Sequence, residues 1–314
     1  MTTAFILPIF IFFWIVGAII IVKEQQYYRL LVTLGIFSCI SFACYLLLAS
    51  PDVAMAQAVI SVFSTIIFIV AFEKYYKTTQ PLDGAVQTNP KPSIIRKFII
   101  PLCFCIALGA MFIYFIPDDA FVTELRDQYV ALFSYDIGGE NAVTAIYLGY
   151  RLYDTVFEAL ILLVSIMAVI HLSHYVDLAA SRGRPSEIQN SDIAAVTIRL
   201  VCPIMLLLCI FLIANGHISP GGGFQGGVVA ASLFVCRYMI HDLYDIPIVQ
   251  VINFEKFVFV GIVLLGALFI YLSVQPYFAL DQTMYLIAMN MLIGLKVACG
   301  FLIVFYRFIA FERR

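Results

Sequence analysis

The sequence contains few charged residues. Asp, Glu, Lys and Arg make up 12% of its 314 residues, whereas 63% are hydrophobic and the mean hydropathy is +1.01. Soluble globular domains are about 25% charged and about 45–50% apolar, so this composition excludes an ordinary soluble protein and indicates a surface that faces lipid. The formal net charge of −2 also excludes the strongly basic surface typical of nucleic-acid binding.

Catalytic and cofactor motifs are missing as well. The eight cysteines lie inside apolar runs, without a C-x-x-C pair or a Cys/His cluster, so we expect no metal, disulfide, iron–sulfur or haem site. The chain has no GxSxG, HExxH or GxGxxG motif, and the glycine run at 221–223 is not followed by the Lys and Ser or Thr of a phosphate loop. We therefore expect no cofactor and no catalysis by this chain itself.

Long apolar segments are the dominant feature that is present. A transmembrane helix needs about 20 mainly apolar residues. The sequence predicts nine such spans, at residues 3–22, 28–48, 53–72, 98–116, 153–172, 193–214, 226–240, 257–274 and 284–308. We therefore expect an all-α, polytopic membrane protein with about nine transmembrane helices.

Two polar linkers, at residues 78–91 and 174–192, divide these spans into three blocks. The first linker contains two prolines and a glycine, and the second contains Ser-Arg-Gly-Arg-Pro; both compositions favour flexible connectors. The predicted blocks are 1–77 with three helices, 94–176 with two and 190–314 with four. Two helices bury little of each other's surface, which suggests a fusion of once-separate small subunits.

The distribution of basic residues predicts the orientation in the membrane. Short cytoplasmic loops carry an excess of Lys and Arg. The basic segments are residues 23–29, residues 74–97, Arg182 with Arg184, Lys256, and Arg313 with Arg314. They alternate with segments at 50–52, 117–140, 216–223 and 275–282, which we interpret as external loops. The alternation places the N-terminus outside and the C-terminus in the cytoplasm.

A charged group marks the start of the fifth predicted span. Arg151, Asp154 and Glu158 are spaced i, i+3 and i+7, so a helix places all three on one face. We expect Arg151 and Asp154 to pair near the helix entry, and Glu158 to lie deeper, where it can load and release a proton or bind a cation. The alternative is a static ion-pair cluster that only orients the helix.

The segment before this group is rich in glycine. Gly138 and Gly139 precede Glu140 and Asn141, and we interpret them as a hinge that leads the chain into the membrane. Residues 141–172 are too many for one untilted span. We therefore expect a break or a shallow helix near residues 149–152.

A second glycine-rich segment, Asn215–Gly227, connects two apolar runs and contains His217. Irregular backbone is tolerated at membrane depth only where protein or a water-filled cavity satisfies it, and a histidine exchanges protons near neutral pH. The alternative is a tight external turn in which His217 is an ordinary surface residue.

Two further ionisable residues are candidates. Lys296 lies midway along the last span, too central to reach the membrane surface easily, so it needs a partner or a wet cavity. Asp52 follows Pro51 at the start of the third span, where it is either an N-cap or a group for ion entry.

Three motifs together resemble the small membrane proteins of Mrp-type multisubunit Na+/H+ antiporters and of the related membrane-bound hydrogenase complexes. Residues 50–57, Ser-Pro-Asp-Val-Ala-Met-Ala-Gln, are similar to the PDxAxxE/Q segment found in the C-terminal part of the large A-type component, or in a separate D-type one. Residues 138–158 are similar to the GGxNxVxxIxxxxRxxDTxxE segment of the E-type unit, and residues 216–227 match the GHxxPGGGFQGG signature of the B-type unit. The motif positions besides the ionisable ones are Gly138, Gly139, Asn141, Thr155, Pro220, Gly221, Gly222, Gly223, Phe224, Gln225, Gly226 and Gly227.

The chain departs from the family pattern at Gln57, Ser61 and Gly149, where relatives often carry acidic residues, so part of any carboxylate path in those relatives is absent here. The resemblance implies a complex in a bacterial or archaeal cytoplasmic membrane, with large antiporter-like subunits and other small membrane subunits as partners. In such a complex Na+ and H+ are exchanged, with these blocks contributing the cation path. The alternatives are the membrane arm of a hydrogenase-like or other redox-driven pump, and a purely structural adaptor.

Overall fold

The computed structural model describes residues 2–24, 26–76, 99–114, 119–176, 192–240, 248–274 and 281–310. This part of the chain is almost entirely helical and contains no strand. The α-helices are α1 (Thr2–Lys23), α2 (Tyr27–Leu47), α3 (Pro51–Tyr76), α4 (Ile100–Tyr114), α5 (Asp119–Asp136), α6 (Ala142–Ala145), α7 (Leu152–Val176), α8 (Asp192–Ala214), α9 (Gly223–Ile240), α10 (Ile248–Val274) and α11 (Gln282–Ala310), with a π-helical turn at Ile146–Tyr150 between α6 and α7. The predicted all-α fold is confirmed.

Six of the described helices are long and apolar enough to cross a membrane: α2, α3, α7, α8, α10 and α11. Two shorter apolar helices, Pro8–Lys23 and Gly223–Arg237, accompany them. Leucine, isoleucine and phenylalanine side chains cover the outside of these helices, which only a lipid environment stabilises. The chain is therefore a multi-pass membrane protein, and each of the nine predicted spans overlaps a helix, although the count of nine spans stays a prediction.

Two segments that the sequence indicated as loops are helical. The predicted acidic loop at 117–140 contains α5, whose apolar residues are interrupted by polar ones, so the segment contains no run of span length. Lys256, predicted in a cytoplasmic loop, lies inside α10, because that helix begins at Ile248 rather than at 257. The loop prediction for Lys256 was wrong because Glu255, its neighbour in sequence, is neutralised inside the protein and does not end the span.

The predicted linkers lie largely or wholly outside the described residues, and so do Arg182, Arg184 and the arginines at 313–314. The block boundaries and the orientation therefore stay predictions. The chain forms two compact units: Met1–Tyr75 together with Phe133–Arg314, and Tyr76–Leu132, which holds α4 and most of α5.

The core of the larger unit lies where α11 packs against α7, α9 and α10. Half of the span in α11 is buried inside the protein. Glycines on α9 allow this packing: a Cβ atom at Gly227 would lie 2.6 Å from the carbonyl oxygen of Gly294 on α11. Close backbone approach between these helices therefore depends on the second glycine-rich segment.

The expected break before the fifth predicted span is confirmed. α6 and the π-helical turn end at Arg151, whose backbone leaves the helical region at φ −114° and ψ 36°, and α7 begins at Leu152. The hydroxyl of Thr155 donates to the carbonyl of Tyr147 and so satisfies a backbone group that the break exposes. A side chain at Gly149 would collide with Ile137, which explains why a small residue stands at that position.

Candidate functional site

The charged residues of α7 lie on its outward face. The guanidinium of Arg151 pairs with the carboxylate of Asp154, as the spacing predicts, and the two side chains are 64% and 56% exposed. Glu158 is exposed one turn further along α7 and has no ion-pair partner among the described residues. Thr155, between them in sequence, is buried and faces inward. The i, i+3, i+7 prediction of a shared face is consistent with these positions.

This exposed face requires a covering that the chain itself does not provide. Glu158 is the seventh residue of α7, about 9 Å from the start of that helix. A carboxylate at such depth is costly in hydrocarbon, so it faces protein or a water-filled cavity. Arg151 and Asp154 neutralise each other, which leaves Glu158 as the net charge of this face.

The two glycine-rich segments meet in the larger unit. The backbone N–H groups of Glu140 and Asn141 donate to the carbonyl of His217 at 2.8 and 3.0 Å. Gly139 has a φ of +83°, which side-chain-bearing residues rarely adopt, and a Cβ atom there would lie 2.8 Å from the same carbonyl oxygen. Glycine at this position is therefore required both by conformation and by space.

Asp52 joins this meeting point from α3. Its Oδ1 accepts hydrogen bonds from the Asn141 side-chain amide at 3.2 Å and from the backbone N–H of Gly221 at 3.1 Å. Because α3 already begins at Pro51, Asp52 lies in the first helical turn, and the N-cap alternative was wrong. The carboxylate is 9% exposed and binds together three segments that are far apart in sequence.

Asn141 has two roles at once. Its Oδ1 accepts from the backbone N–H groups of Val143 and Thr144, which caps the N-terminus of α6. Its Nδ2 points to Asp52 and to the carbonyl oxygens of Gly216 and Ser219, at 3.3 and 3.0 Å. The asparagine of the first glycine-rich motif thus holds the turn of the second.

The second glycine-rich segment is not an external turn. The backbone N–H of Gly223 donates to Oδ1 of Asn290, the ninth residue of α11, which lies about 12 Å from the start of that helix. The hydroxyl of Tyr147 donates to the same oxygen. His217 is 8% exposed, so the surface-histidine alternative was wrong. Its Nδ1 lies 3.0 Å from the carbonyl of Ala214 and carries the proton of the neutral ring, because a carbonyl only accepts.

Lys296 has the partner that its central position requires. Its ammonium group pairs with the carboxylate of Glu255 on α10, and both side chains are 1% exposed. The ring of Phe259 lies 4.8 Å from Nζ and adds a cation–π contact. Sequence reasoning missed Glu255, because the adjacent pair Glu255-Lys256 has the composition of a helix end.

The structure brings some predicted residues together and separates others. Asp52, Asn141, His217 and the turn at 216–222 form one hydrogen-bonded junction. Tyr147 stands between this junction and the α7 face, since the charges of both Asp52 and Glu158 act on its hydroxyl. The Lys296–Glu255 pair is a separate feature. Within the described ranges no cluster of three or more His, Cys, Asp or Glu side chains is arranged to hold a metal ion.

Comparison with known proteins places segments of the chain in two families. Residues 193–311 match the model for a domain related to the MnhB subunit of the Na+/H+ antiporter, and residues 12–77 match the MbhD model, which describes the D component of MBH. The probable A/B subunit of a K+/H+ antiporter from Rhizobium meliloti is 24% identical over a match that covers 74% of this chain and 26% of that protein. A putative antiporter subunit mnhA2 of Staphylococcus haemolyticus is 29% identical, covering 52% and 19% respectively. The chain thus spans about a quarter or less of these relatives.

Two solved structures share the fold. A chain of the Mrp complex from Dietzia sp. DQ12-45-1b superposes with a TM-score of 0.73 at 18% identity, over 98% of this chain and 35% of that one. A chain of the membrane-bound sulfane sulfur reductase, an archaeal respiratory membrane complex, superposes with a TM-score of 0.53 at 23% identity, over 66% of this chain and 96% of that one. From these matches and the motif geometry, the chain is a homologue of the subunits of Mrp-type Na+/H+ antiporters.

Proposed function

We propose that this protein is a membrane subunit of a multisubunit monovalent cation/proton antiporter and that it contributes to the cation path. The observation that carries the proposal is the α7 face, where Arg151, Asp154 and Glu158 lie exposed at membrane depth. A lone chain in lipid would be penalised for this face. An ion path between this chain and a neighbouring subunit gives the unpaired carboxylate of Glu158 both a wet environment and a use.

Other ionisable residues have secondary roles in this proposal. His217 and Asp52 lie at the junction of the two glycine-rich segments, and Lys296 is held by Glu255 in the core. Each can take part in moving protons or cations that reach the α7 face. The blocks 1–77, 94–176 and 190–314 correspond in this proposal to D-type, E-type and B-type subunits.

The partners in this proposal are large antiporter-like membrane subunits and other small membrane subunits in the cytoplasmic membrane. The relatives named as antiporter subunits are about four to five times longer than the matched region, as the coverage of 26% and 19% shows. The parts of those relatives that have no counterpart here would then be supplied by separate chains. The exchanged ions would be H+ and a monovalent cation, Na+ by the family resemblance.

A second candidate is the membrane arm of a redox-driven ion pump. It is favoured by the likeness to a chain of an archaeal respiratory complex, 96% of which is covered. In that case the same cation path operates, but electron transfer on partner chains drives it. Ion exchange by the purified complex with no electron donor supports the antiporter, whereas exchange that requires a donor supports the pump.

The proposal is tested by reconstitution. We expect vesicles that contain the whole complex to exchange protons for Na+ or K+ when an ion gradient is applied, measured with a pH-sensitive dye. Vesicles that contain this chain alone should show no exchange, because the α7 face then lacks its neighbouring subunit. Robust exchange by the chain alone would contradict a subunit role and show a self-sufficient transporter.

The orientation gives a separate prediction. With the N-terminus outside, cysteines introduced at Thr88 and Ser186 should be shielded from an impermeant thiol reagent in intact cells. A cysteine introduced at Thr123 should react, because the segment at 117–140 then lies outside. The eight native cysteines are first replaced by alanine or serine so that only the introduced thiol is measured. Labelling at Thr88 or Ser186 from outside would contradict this orientation.

A further inference from the structure

Three oxygen atoms from different segments converge on the side-chain nitrogen of Asn141. Oδ1 of Asp52 lies 3.2 Å from Nδ2, the carbonyl oxygen of Gly216 lies at 3.3 Å, and that of Ser219 at 3.0 Å. An amide nitrogen carries only two protons, so it cannot satisfy three acceptors. Two of the three distances are at or beyond the long end of the usual range of about 2.7–3.2 Å. The oxygen cage is therefore better suited to a spherical cation than to an amide.

The cage has a net negative charge. Asp52 is nine-tenths buried, and no lysine, arginine or histidine of the described residues lies within ion-pair distance of it. Its hydrogen-bond donors are the neutral amide of Asn141 and the neutral backbone N–H of Gly221. A buried carboxylate without a counter-charge is costly, and one bound monovalent cation would remove that cost.

The backbone around the cage has the form that transporters use for small cations. The carbonyls of Gly216 and Ser219 come from the interruption between α8 and α9, which lies within the helix bundle at the level of Asn290. Carbonyl oxygens freed where a membrane helix is interrupted coordinate Na+ in secondary transporters. Hard oxygen ligands with a single carboxylate also match a monovalent cation better than a divalent or a soft metal ion.

We propose that Oδ1 of Asp52 and the carbonyl oxygens of Gly216 and Ser219 form a binding site for an alkali-metal cation, and that the amide of Asn141 occupies this site when the cation is absent. Cation binding displaces Nδ2. Because the same side chain caps α6, its displacement also loosens the start of the segment that carries Tyr147 toward the α7 face. The proposal takes from the proposed function only the expectation that the cation is the transported one.

The test is hydrogen–deuterium exchange on the purified complex in Na+, K+ or choline chloride at equal ionic strength. We expect Na+ or K+ to slow exchange in peptides that cover residues 215–223, with a saturable concentration dependence, and choline to have no effect. Absence of any cation-specific protection in the wild-type complex would overturn the site, whatever the variants do.

Three variants sharpen this test. Asp52→Asn removes the charge and should weaken cation-dependent protection at least tenfold. Asn141→Asp keeps an oxygen to cap α6 but replaces the competing nitrogen with an acceptor, so it should tighten binding at least tenfold. Asp136→Asn is the matched control: this carboxylate is exposed, accepts a hydrogen bond from Tyr150, and should leave protection unchanged. Wild-type affinity in Asp52→Asn, or weaker binding in Asn141→Asp, would overturn the proposed ligand set.

Binding and transport are measured on the same samples, so the two proposals can fail separately. Wild-type exchange activity without cation-specific protection would overturn this site and leave the antiporter proposal standing. Cation-specific protection in a complex that exchanges no ions would do the reverse.

Discussion

Replacing Glu158 with glutamine should leave the complex assembled but remove most of its cation/proton exchange. Glutamine keeps the shape and hydrogen-bonding capacity of the side chain and removes its charge. The structure gives a reason to expect normal assembly: Glu158 has no ion-pair partner among the described residues, and Arg151 keeps its pairing with Asp154. Positioned proton-transfer groups contribute about 100-fold or more in enzymes, so we expect a loss of at least about tenfold per assembled complex.

The measurement is exchange in vesicles, divided by the amount of complex recovered by affinity purification. Glu124→Gln is the matched control, since Glu124 is an exposed carboxylate on α5. If Glu158 only orients α7, activity will follow the amount of complex and the ratio will stay constant. Wild-type exchange per complex in Glu158→Gln would rule out an ion-conducting role for this residue.

Replacing Lys296 with methionine should strongly destabilise the protein. The variant leaves the carboxylate of Glu255 buried at 1% exposure without its counter-charge. Removing one partner of a buried ion pair costs about 3–5 kcal/mol. The double variant Lys296→Met with Glu255→Leu removes both charges and replaces them with apolar side chains, so most of the lost stability should return.

The measurement is thermal unfolding of the purified complex in detergent. Lys256→Met is the matched control, because Lys256 is the next residue in sequence but is exposed and outside the pair. A single Lys296→Met variant as stable as wild type would contradict the energetic importance of the pair. A double variant as unstable as the single one would show that packing, not charge, is responsible.

The double variant also separates a structural pair from one that handles protons. If Lys296 and Glu255 only stabilise α10 against α11, the restored protein should exchange ions at the wild-type rate per complex. If Lys296 takes part in proton movement, the double variant should be stable and inactive. The second outcome would assign to Lys296 the secondary role in the proposed ion path.

The sequence alone determined the architecture of this protein. Apolar segments of span length fixed the all-α membrane fold, because lipid offers no hydrogen bonds to a backbone and helices satisfy it internally. The break near residues 149–152 followed from segment length, and the pairing of Arg151 with Asp154 followed from helical spacing. These are local properties, which a few neighbouring residues specify. The helix α5 was missed because its apolar residues do not form a continuous run.

Only the tertiary structure decided how the polar groups are used. Asp52 bonds Asn141 and Gly221, which are 89 and 169 positions away, and Lys296 pairs with Glu255, 41 positions away. No sequence periodicity links such distant groups; each contact depends on which helices pack together and at what depth. The same holds for exposure: His217 is buried and Glu158 faces outward because of how α6 to α11 pack around the two glycine-rich segments, and the cost of charge in a membrane then sets what each group can do.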